Sequence, residues 1–207
     1  MIWGIYLAAG QSRRMGQPKL CLPVEGNPLG SMALDAAVAS SLDGIAVVTR
    51  ADDPMDWIPS RMTADPYRRR WIQVPCESSP LGMAESLKCG LRAAHCRNAT
   101  AVLVLLADQP FVSSDMIDAL IAQYRDGVQA NKAYIAAEYE GIVRPPVLFG
   151  SGMFAKLLRL EGDAGARNLI QGEGRERGLA IGWHDAACFL DIDTRDDYDA
   201  LLGGKGR

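Results

Sequence analysis

Ile2-Trp3-Gly4-Ile5-Tyr6-Leu7-Ala8-Ala9-Gly10-Gln11-Ser12-Arg13-Arg14-Met15-Gly16-Gln17-Pro18-Lys19 is the stretch whose reading decides the fold. Ile2 to Ala8 is almost wholly apolar and has the length of a core strand. The loop that follows carries two glycines, two arginines and a lysine. Glycine lets the backbone approach phosphate oxygens and aim its N–H groups at them, and arginine and lysine neutralise charge as a fork or a point ammonium. A strand ending in such a loop suits a polyphosphate; the bland reading is a strand-to-helix connection with surface arginines. Two familiar phosphate patterns fail on spacing. Five residues separate Gly10 from Gly16 and Lys19 does not follow the second glycine, so the G-x-x-x-x-G-K-[ST] loop is absent, as is the G-x-G-x-x-G fingerprint.

Working outward, short apolar runs alternate with helix-period segments, as expected of strands feeding helices around a mainly parallel sheet. Gly44 to Thr49, Trp71 to Val74 and Ala101 to Leu106 read as the next three strands. Met83, Leu87 and Leu91 recur every four residues, and Ile117, Leu120, Ile121 and Tyr124 follow i, i+3, i+4, i+7, so both segments predict amphipathic helices. Ser113 and Ser114 are N-cap candidates for the second, with Asp115 at the positive end of its dipole. Later strand candidates are Ala133 to Ala137, Val147 to Phe149, Leu179 to Gly182 and Cys188 to Ile192, with directions left open. Thr194 and Asp197 form a capping-box-like start to a last helix containing Tyr198, Leu201 and Leu202. The expectation is one domain over residues 1–202 and a frayed tail over 203–207. Arg68-Arg69-Arg70 reads as a solvated surface run or a docking patch.

Acidic residues number 25 against 22 basic ones, and the net charge of −3 gives no support to a duplex nucleic-acid binder. The five cysteines lack a C-x-x-C pair and their odd number cannot close a complete intrachain disulfide set, which predicts reduced thiols and a cytoplasmic location. No basic n-region precedes the first strand, and runs such as Val102 to Ala107 fall far short of the roughly 18 apolar residues of a membrane span. Neither a signal peptide nor a membrane association is expected.

Two further sites carry carboxylates. Leu105-Leu106-Ala107-Asp108-Gln109-Pro110 ends an apolar strand on an aspartate. Inside a sheet that charge would be costly, but at the carboxyl edge it faces the crevice where open α/β sheets bind ligands. Pro110 favours extended geometry at Gln109 and hence a sharp strand exit. Asp191-Ile192-Asp193-Thr194 places two aspartates on one face of an expected strand, and either could meet a metal. Magnesium commonly takes one or two carboxylates plus substrate phosphate oxygens, so Asp108 with Asp191 or Asp193 makes a sufficient site. Helix capping is the competing reading for both motifs.

Taken with its neighbours, Leu7 to Lys19 resembles the L-A-A-G-x-S-x-R-M-G-x-x-K signature of the MobA-like nucleotidyltransferases, particularly the molybdenum cofactor cytidylyltransferases and the related purine-catabolism accessory protein. The resemblance continues through Leu20 to Pro23, Gly82 to Leu87, Leu106 to Pro110, Pro146 to Phe149, Gly162 to Arg167 and Asp191 to Thr194. It implies a three-layer α/β/α Rossmann-like fold with a mixed, mostly parallel sheet. It also implies that Leu7, Ala8, Ala9, Gly10 and Ser86 bind the nucleotide, that Arg13 and Lys19 meet the triphosphate, and that Asp108 and Asp193 hold magnesium. The implied reaction moves CMP from CTP to the phosphate of molybdopterin. Relatives that use CTP carry Leu-Ala-Ala-Gly at this loop and those that use GTP carry Leu-Ala-Gly-Gly, so Ala9 implies CTP. Arg144-Pro145-Pro146 stands where similar members have Gly-His-Pro, and Arg144 or Arg167 is a candidate to hold the acceptor. Other readings are a sugar or polyol phosphate acceptor, a non-catalytic adaptor that hands cofactor to a molybdenum hydroxylase, and an oxidoreductase resting only on the Rossmann-like pattern. His95 and His184 lie outside every motif and read as surface or core-edge residues. An ionised acceptor phosphate needs no dedicated general base, so their scarcity does not count against transfer chemistry.

Overall fold

The computed structural model describes residues 1–12, 14–127, 132–163, 166, 169–170 and 178–203. In chain order the elements are β1 (Ile2–Leu7), the short ribbon β2 (Pro23–Val24) and β3 (Asn27–Pro28), α1 (Leu29–Ala39), β4 (Gly44–Arg50), α2 (Ser60–Thr63), β5 (Trp71–Cys76), α3 (Met83–His95), β6 (Ala101–Leu106), α4 (Ser114–Gly127), β7 (Tyr134–Tyr139), β8 (Ile142–Gly150), α5 (Phe154–Leu157), β9 (Gly178–Gly182) and α6 (Arg195–Gly203). Seven strands form one sheet in the order β5-β4-β1-β6-β8-β7-β9. β5, β4, β1 and β6 run parallel, β8 is antiparallel to β6 and β7, and β9 is parallel to β7. The sheet is mixed and mostly parallel, as the sequence resemblance implies.

Alternation along the strands builds two apolar layers, one on each face. Ile2 and Tyr6 of β1, Leu103 and Leu105 of β6 and Leu148 of β8 face α1 and α4, where Leu34, Ile117 and Leu120 complete the layer. Trp3 and Ile5, Val102 and Val104, and Phe149 face α3 and α5 through Leu87, Leu91 and Leu157. The helix periods expected for α3 and α4 hold, except that Met83 is exposed and the buried stripe of α3 starts at Ala84. Ser113 Oγ accepts from the Met116 N–H at 3.2 Å and serves as the N-cap of α4. Of the arginine run, Arg70 donates to the carbonyls of Val38, Ser40 and Leu42 at and just beyond the end of α1, Arg68 to that of Trp71, and Arg69 pairs with Asp65. Arg68 and Arg70 thus satisfy backbone acceptors rather than forming a free basic patch. His95 and His184 are exposed.

Three expectations change. β8 begins at Ile142, well before Val147, because the register shifts between Ala136 and Ala137 where Pro145 and Pro146 lack donors, and the ladder resumes on the other side. Cys188 to Ile192 is not a strand. Ala186–Phe189 forms a 3-10 turn and the chain continues extended, with Cys188, Phe189 and Ile192 buried against the helix layer of α1 and α4. An apolar run of this length packs equally well as a turn, and periodicity cannot separate the two. The last helix reaches Gly203, one residue into the expected tail.

Gly90 lies where α3 crosses β1 and β4. A Cβ there would come within 2.4 Å of Ile5 Cγ2 and 2.9 Å of Val48 Cγ2, whereas one on Gly152 would meet nothing within 4 Å. Alanine gains up to about 1 kcal/mol of helix propensity over glycine, but overpacking typically costs ~1–3 kcal/mol. Gly90→Ala is therefore expected to lower the thermal unfolding midpoint by a few degrees while Gly152→Ala leaves it within error. Calorimetry of the two variants checks the contrast, and equal midpoints would show that the α3–sheet contact yields without cost.

Candidate active site

Parallel pairing sets Leu7 of β1 beside Leu106 of β6, so the loops after both strands leave the same edge of the sheet. After β1 the backbone turns through Ser12 at φ 50° and Gly16 at φ 69°. The Lys19 N–H donates to Ser12 Oγ at 3.3 Å, closing the loop on itself. Lys19 begins a 3-10 turn at Lys19–Cys21, its stem buried and its side chain only 9% exposed. After β6 the Gln109 N–H donates to the Leu106 carbonyl and aims Asp108 back at the same edge. The C-terminal segment docks there too, through the Ile192 N–H on the Asp108 carbonyl at 3.0 Å. Asp193 is held by the expected capping box. The N–H groups of Asp193 and Thr194 donate to Asp197 Oδ2 at 3.0 and 2.7 Å, and the Asp197 N–H donates to Thr194 Oγ1 at 3.2 Å.

Lys19 Nζ donates to Asp108 Oδ2 at 2.7 Å and to Asp193 Oδ1 at 2.9 Å. Arg14 reaches the other oxygen of Asp193 at 2.7 Å from an exposed position. Desolvation alone would lower the Lys19 ammonium, but the charge of Asp108 and the hydrogen bonds to both carboxylates outweigh it and hold the group above its ordinary value. Desolvation likewise works to raise Asp193, and Lys19 and Arg14 override it to hold the carboxyl below its usual range. Asp191 sits apart from this triplet. It accepts from Gln109 Nε2 at 2.8 Å, and desolvation followed by the like charges of Asp108 and Asp193 raises it.

These groups line a cleft of about 360 Å³. Leu7, Ala9, Gly10, Lys19, Ser86, Asp108 and Asp193 all face it. Ala8 does not line it; it packs in the core with Tyr6 and lines a small adjoining pocket of about 30 Å³ with Leu7, Gly10, Lys19 and Asp108. Arg13, Ala164, Gly165 and Arg167 lie outside the described residues. Arg144 is half-buried on β8 with Nε unpaired; it does not line the cleft, but its charge acts on Asp191 beside it. The opposite wall is the start of α3. Gly82 at φ 126° leads into it, the Met83 N–H donates to Asp163 Oδ1 at 3.1 Å, and the Ala84 N–H donates to the Gly162 carbonyl at 3.0 Å. Sequence reasoning did not single out Arg14, Gln109 or Asp163 as site residues. All three stood inside quoted motifs, but the pairing of Asp163 with Met83 spans 80 residues and has no local signal.

Whether a divalent ion fits can be judged from the donors. Asp108 Oδ1 is buried without a hydrogen-bond partner, a costly state that a ligand would relieve. Among the described residues no group of three or more His, Cys, Asp or Glu side chains could by itself cage a metal. Two carboxylates lining a cleft of this size fit the mode in which magnesium takes few protein ligands and completes its shell from substrate oxygens.

A strand-end aspartate, a basic glycine loop and a helix start around one cleft define a nucleotidyltransferase-type site on a Rossmann-like sheet. The chain belongs to the MobA-like NTP transferase domain family, whose model matches residues 4–178. It is 36% identical over 199 residues to the purine catabolism protein PucB of Bacillus subtilis, covering 96% of this chain and 94% of that one. It is 31% identical over 205 residues to nicotine blue oxidoreductase of Paenarthrobacter nicotinovorans, covering 97% and 96%. A molybdenum cofactor guanylyltransferase of Rhodobacter capsulatus is 31% identical over 121 residues, 58% of each chain. Among solved structures, Rv0371c of Mycobacterium tuberculosis superposes with a TM-score of 0.77 at 29% identity over 98% of both chains, and its manganese complex with a TM-score of 0.70 at 27% identity, again over 98% of both chains. Among the described residues no helix is long and apolar enough to cross a membrane.

The ion triplet has a pH signature. Asp193 is held below its usual 3.8, so its contribution is present above the unfolded value and is lost as pH falls through the folded one. Lys19 is held above 10.5, so its contribution is present below that and is lost as pH rises through the folded value. Lys19→Met leaves two close carboxylates without their ammonium. Removing one partner costs ~3–5 kcal/mol when a pair is fully buried, and the partial exposure of both aspartates reduces this to about 1–3 kcal/mol. The deficit should be flat between about pH 5 and pH 9 and shrink below about pH 4. Urea unfolding of both proteins across pH measures it, and a deficit that does not change in acid would place the ion pair outside the stability of the fold.

Proposed function

We propose that the chain transfers CMP from CTP to the phosphate of molybdopterin and releases pyrophosphate, with Lys19, Asp108 and Asp193 as the working centre. The observation that carries this reading is the Lys19 ammonium held between the two carboxylates on the wall of a cleft whose opposite wall is a helix start. Asp108 and Asp193 would hold magnesium, which would neutralise phosphate charge and stabilise departing pyrophosphate. The manganese complex of Rv0371c supports a divalent ion in this fold.

Leu7, Ala9 and Gly10 form the floor beneath base and ribose, with Ser86 on the α3 side. Ala8 supports that floor from the core. Lys19, and Arg13 by family resemblance, stabilise the triphosphate. An oxygen of the acceptor phosphate attacks the α-phosphorus, the bond to the β-phosphate breaks, and no proton need be removed from an already ionised nucleophile. Catalysis then rests on alignment and charge placement. Asp191 tethers Gln109 and is assigned a supporting place behind the metal pair. Arg144 and Arg167 remain the candidate acceptor clamps.

The resemblance to nicotine blue oxidoreductase across nearly the whole chain favours one second reading, hydride transfer. Against it stands the missing dinucleotide fingerprint after β1. Purified protein incubated with magnesium, molybdopterin and each nucleoside triphosphate, with products identified by mass spectrometry, separates the readings. The expected product is the cytosine dinucleotide cofactor. A guanine dinucleotide as main product overturns the base assignment, and turnover of a sugar or polyol phosphate instead overturns the acceptor. Tight binding of dinucleotide cofactor without turnover supports the adaptor role, with delivery to a molybdenum hydroxylase. In a parallel assay with a reduced nicotinamide cofactor and a quinone dye as electron acceptor, and with no triphosphate, oxidation of the nicotinamide coupled to reduction of the dye supports the oxidoreductase.

Two variants sharpen the assignment. The buried methyl of Ala9 narrows the cleft beside the base. Ala9→Gly should relax the preference for CTP over GTP by ~1–3 kcal/mol in kcat/KM, the value of one methyl in a pocket. Lys19→Met should lower kcat far more than it raises KM if the ammonium acts on developing charge. A rise in KM alone would make Lys19 a ground-state binding group.

A further inference from the structure

The thiols of Cys76 and Cys89 lie 2.6 Å apart, nearer to the ~2.05 Å of a disulfide than to a non-bonded contact between sulfurs. Cys76 is the last residue of β5 and is buried, with Ser78 Oγ at 3.5 Å and the Glu85 carbonyl at 3.7 Å. Cys89 is half-buried in the second turn of α3. The twelve residues between them, 77–88, include Ser79, Pro80, Gly82, Met83 and Ser86, all of which line the cleft. The pair therefore spans the base of one cleft wall.

We propose that Cys76 and Cys89 are a redox modification site, joined on oxidation into an intramolecular disulfide that ties the end of β5 to α3 and stiffens the cleft wall between them. The oxidant is a low-molecular-weight disulfide. The Cys89 thiolate attacks one sulfur of the oxidant, whose S–S bond breaks and releases one thiol. The Cys76 thiolate then attacks the Cys89 sulfur of the mixed disulfide, forming the Cys76–Cys89 bond and expelling the second thiol. Two cysteine thiols lose two electrons and two protons, which the oxidant takes up as it becomes two thiols. Cys89 is the point of entry because Cys76 is buried. Desolvation, and then the neighbouring Cys76, push the Cys89 thiol up to about 11, so attack is slow near neutral pH and is best followed in mildly alkaline solution. Once one member has reacted, proximity favours the internal partner over a second molecule.

Cys21 and Cys96 are the exposed thiols and serve as internal controls, because an oxidant reacting by exposure alone would modify them first. The full chain is incubated with oxidised glutathione, alkylated and mapped by mass spectrometry, and amide exchange is followed over residues 77–86. The expected result is a linked Cys76–Cys89 peptide and several-fold slower exchange in that segment, both reversed by dithiothreitol. Cys89→Ser, at a half-buried position, should give neither response. Glutathione found on Cys21 and Cys96 with Cys76 and Cys89 still open to alkylation would overturn the proposal, as would a linked peptide with unchanged exchange. If Cys89→Ser does not fold, the reversible response of the natural chain decides the matter. No outcome depends on the transferase reading.

Discussion

The Lys19 ammonium between Asp108 and Asp193 is the contact on which the edge of this structure depends. Two carboxylates this close repel, and both are drawn partly out of water. One buried cation makes their approach tolerable, and in doing so joins the loop after β1, the end of β6 and the segment before α6, positions 89 and 174 residues from Lys19 in sequence. A buried ion pair contributes little net stability once desolvation is counted. Its worth here is positional, because the same contact that closes the chain leaves Asp108 Oδ1 buried and unpaired beside a cleft.

The sheet explains why these segments meet at all. β5, β4, β1 and β6 run parallel, so their carboxyl ends share one edge, and the side chains at the ends of neighbouring strands face a common crevice. β8 reverses direction beside β6 and so brings no further strand exit to that edge. Apolar layers on both faces make β1 and β6 rigid supports, and a site whose members must be held to within fractions of an ångström profits from standing on such strands.

Most of the first half of the fold was legible because its signals are local. β1 and β6 are unbroken apolar runs, β4 is one up to Thr49, β5 is a short run interrupted only by Gln73, α3 and α4 carry clear periods, and the Thr194–Asp197 box announces α6. The second half was harder to read for identifiable reasons. Pro145 and Pro146 disguised a nine-residue strand, since a bulge absorbing two missing donors cannot be foreseen from one strand alone. The run through Cys188 to Ile192 carries strand composition but packs as a turn. In the site, Asp108 stood out as a charge ending an apolar strand, Lys19 as part of a basic glycine loop, and Asp193 as one of two aspartates near an expected strand end. What could not be read was which partner each would take. Asp191 and Asp193 look equivalent in sequence, and only the packing of Ile192 between them sends one to Gln109 and the other to Lys19.

The two walls of the cleft are secured by different physics, and this separates their roles. The Lys19 wall is electrostatic: its geometry depends on protonation states and on whatever other cation enters. The α3 wall is held by hydrogen bonds from the first backbone N–H groups of the helix, one to a side chain and one to a carbonyl. The N–H groups of Met83 and Ala84 are taken up by Asp163 and the Gly162 carbonyl, and Gly82 at φ 126° leaves no room for a side chain beneath them. A Cβ at Gly82 would approach the Gly162 carbonyl to 2.7 Å, so the approach of the two chains requires glycine there on grounds of both space and dihedral angle. The first wall can therefore rearrange as charges enter or leave, whereas the second moves only by breaking the hydrogen bonds at the start of α3.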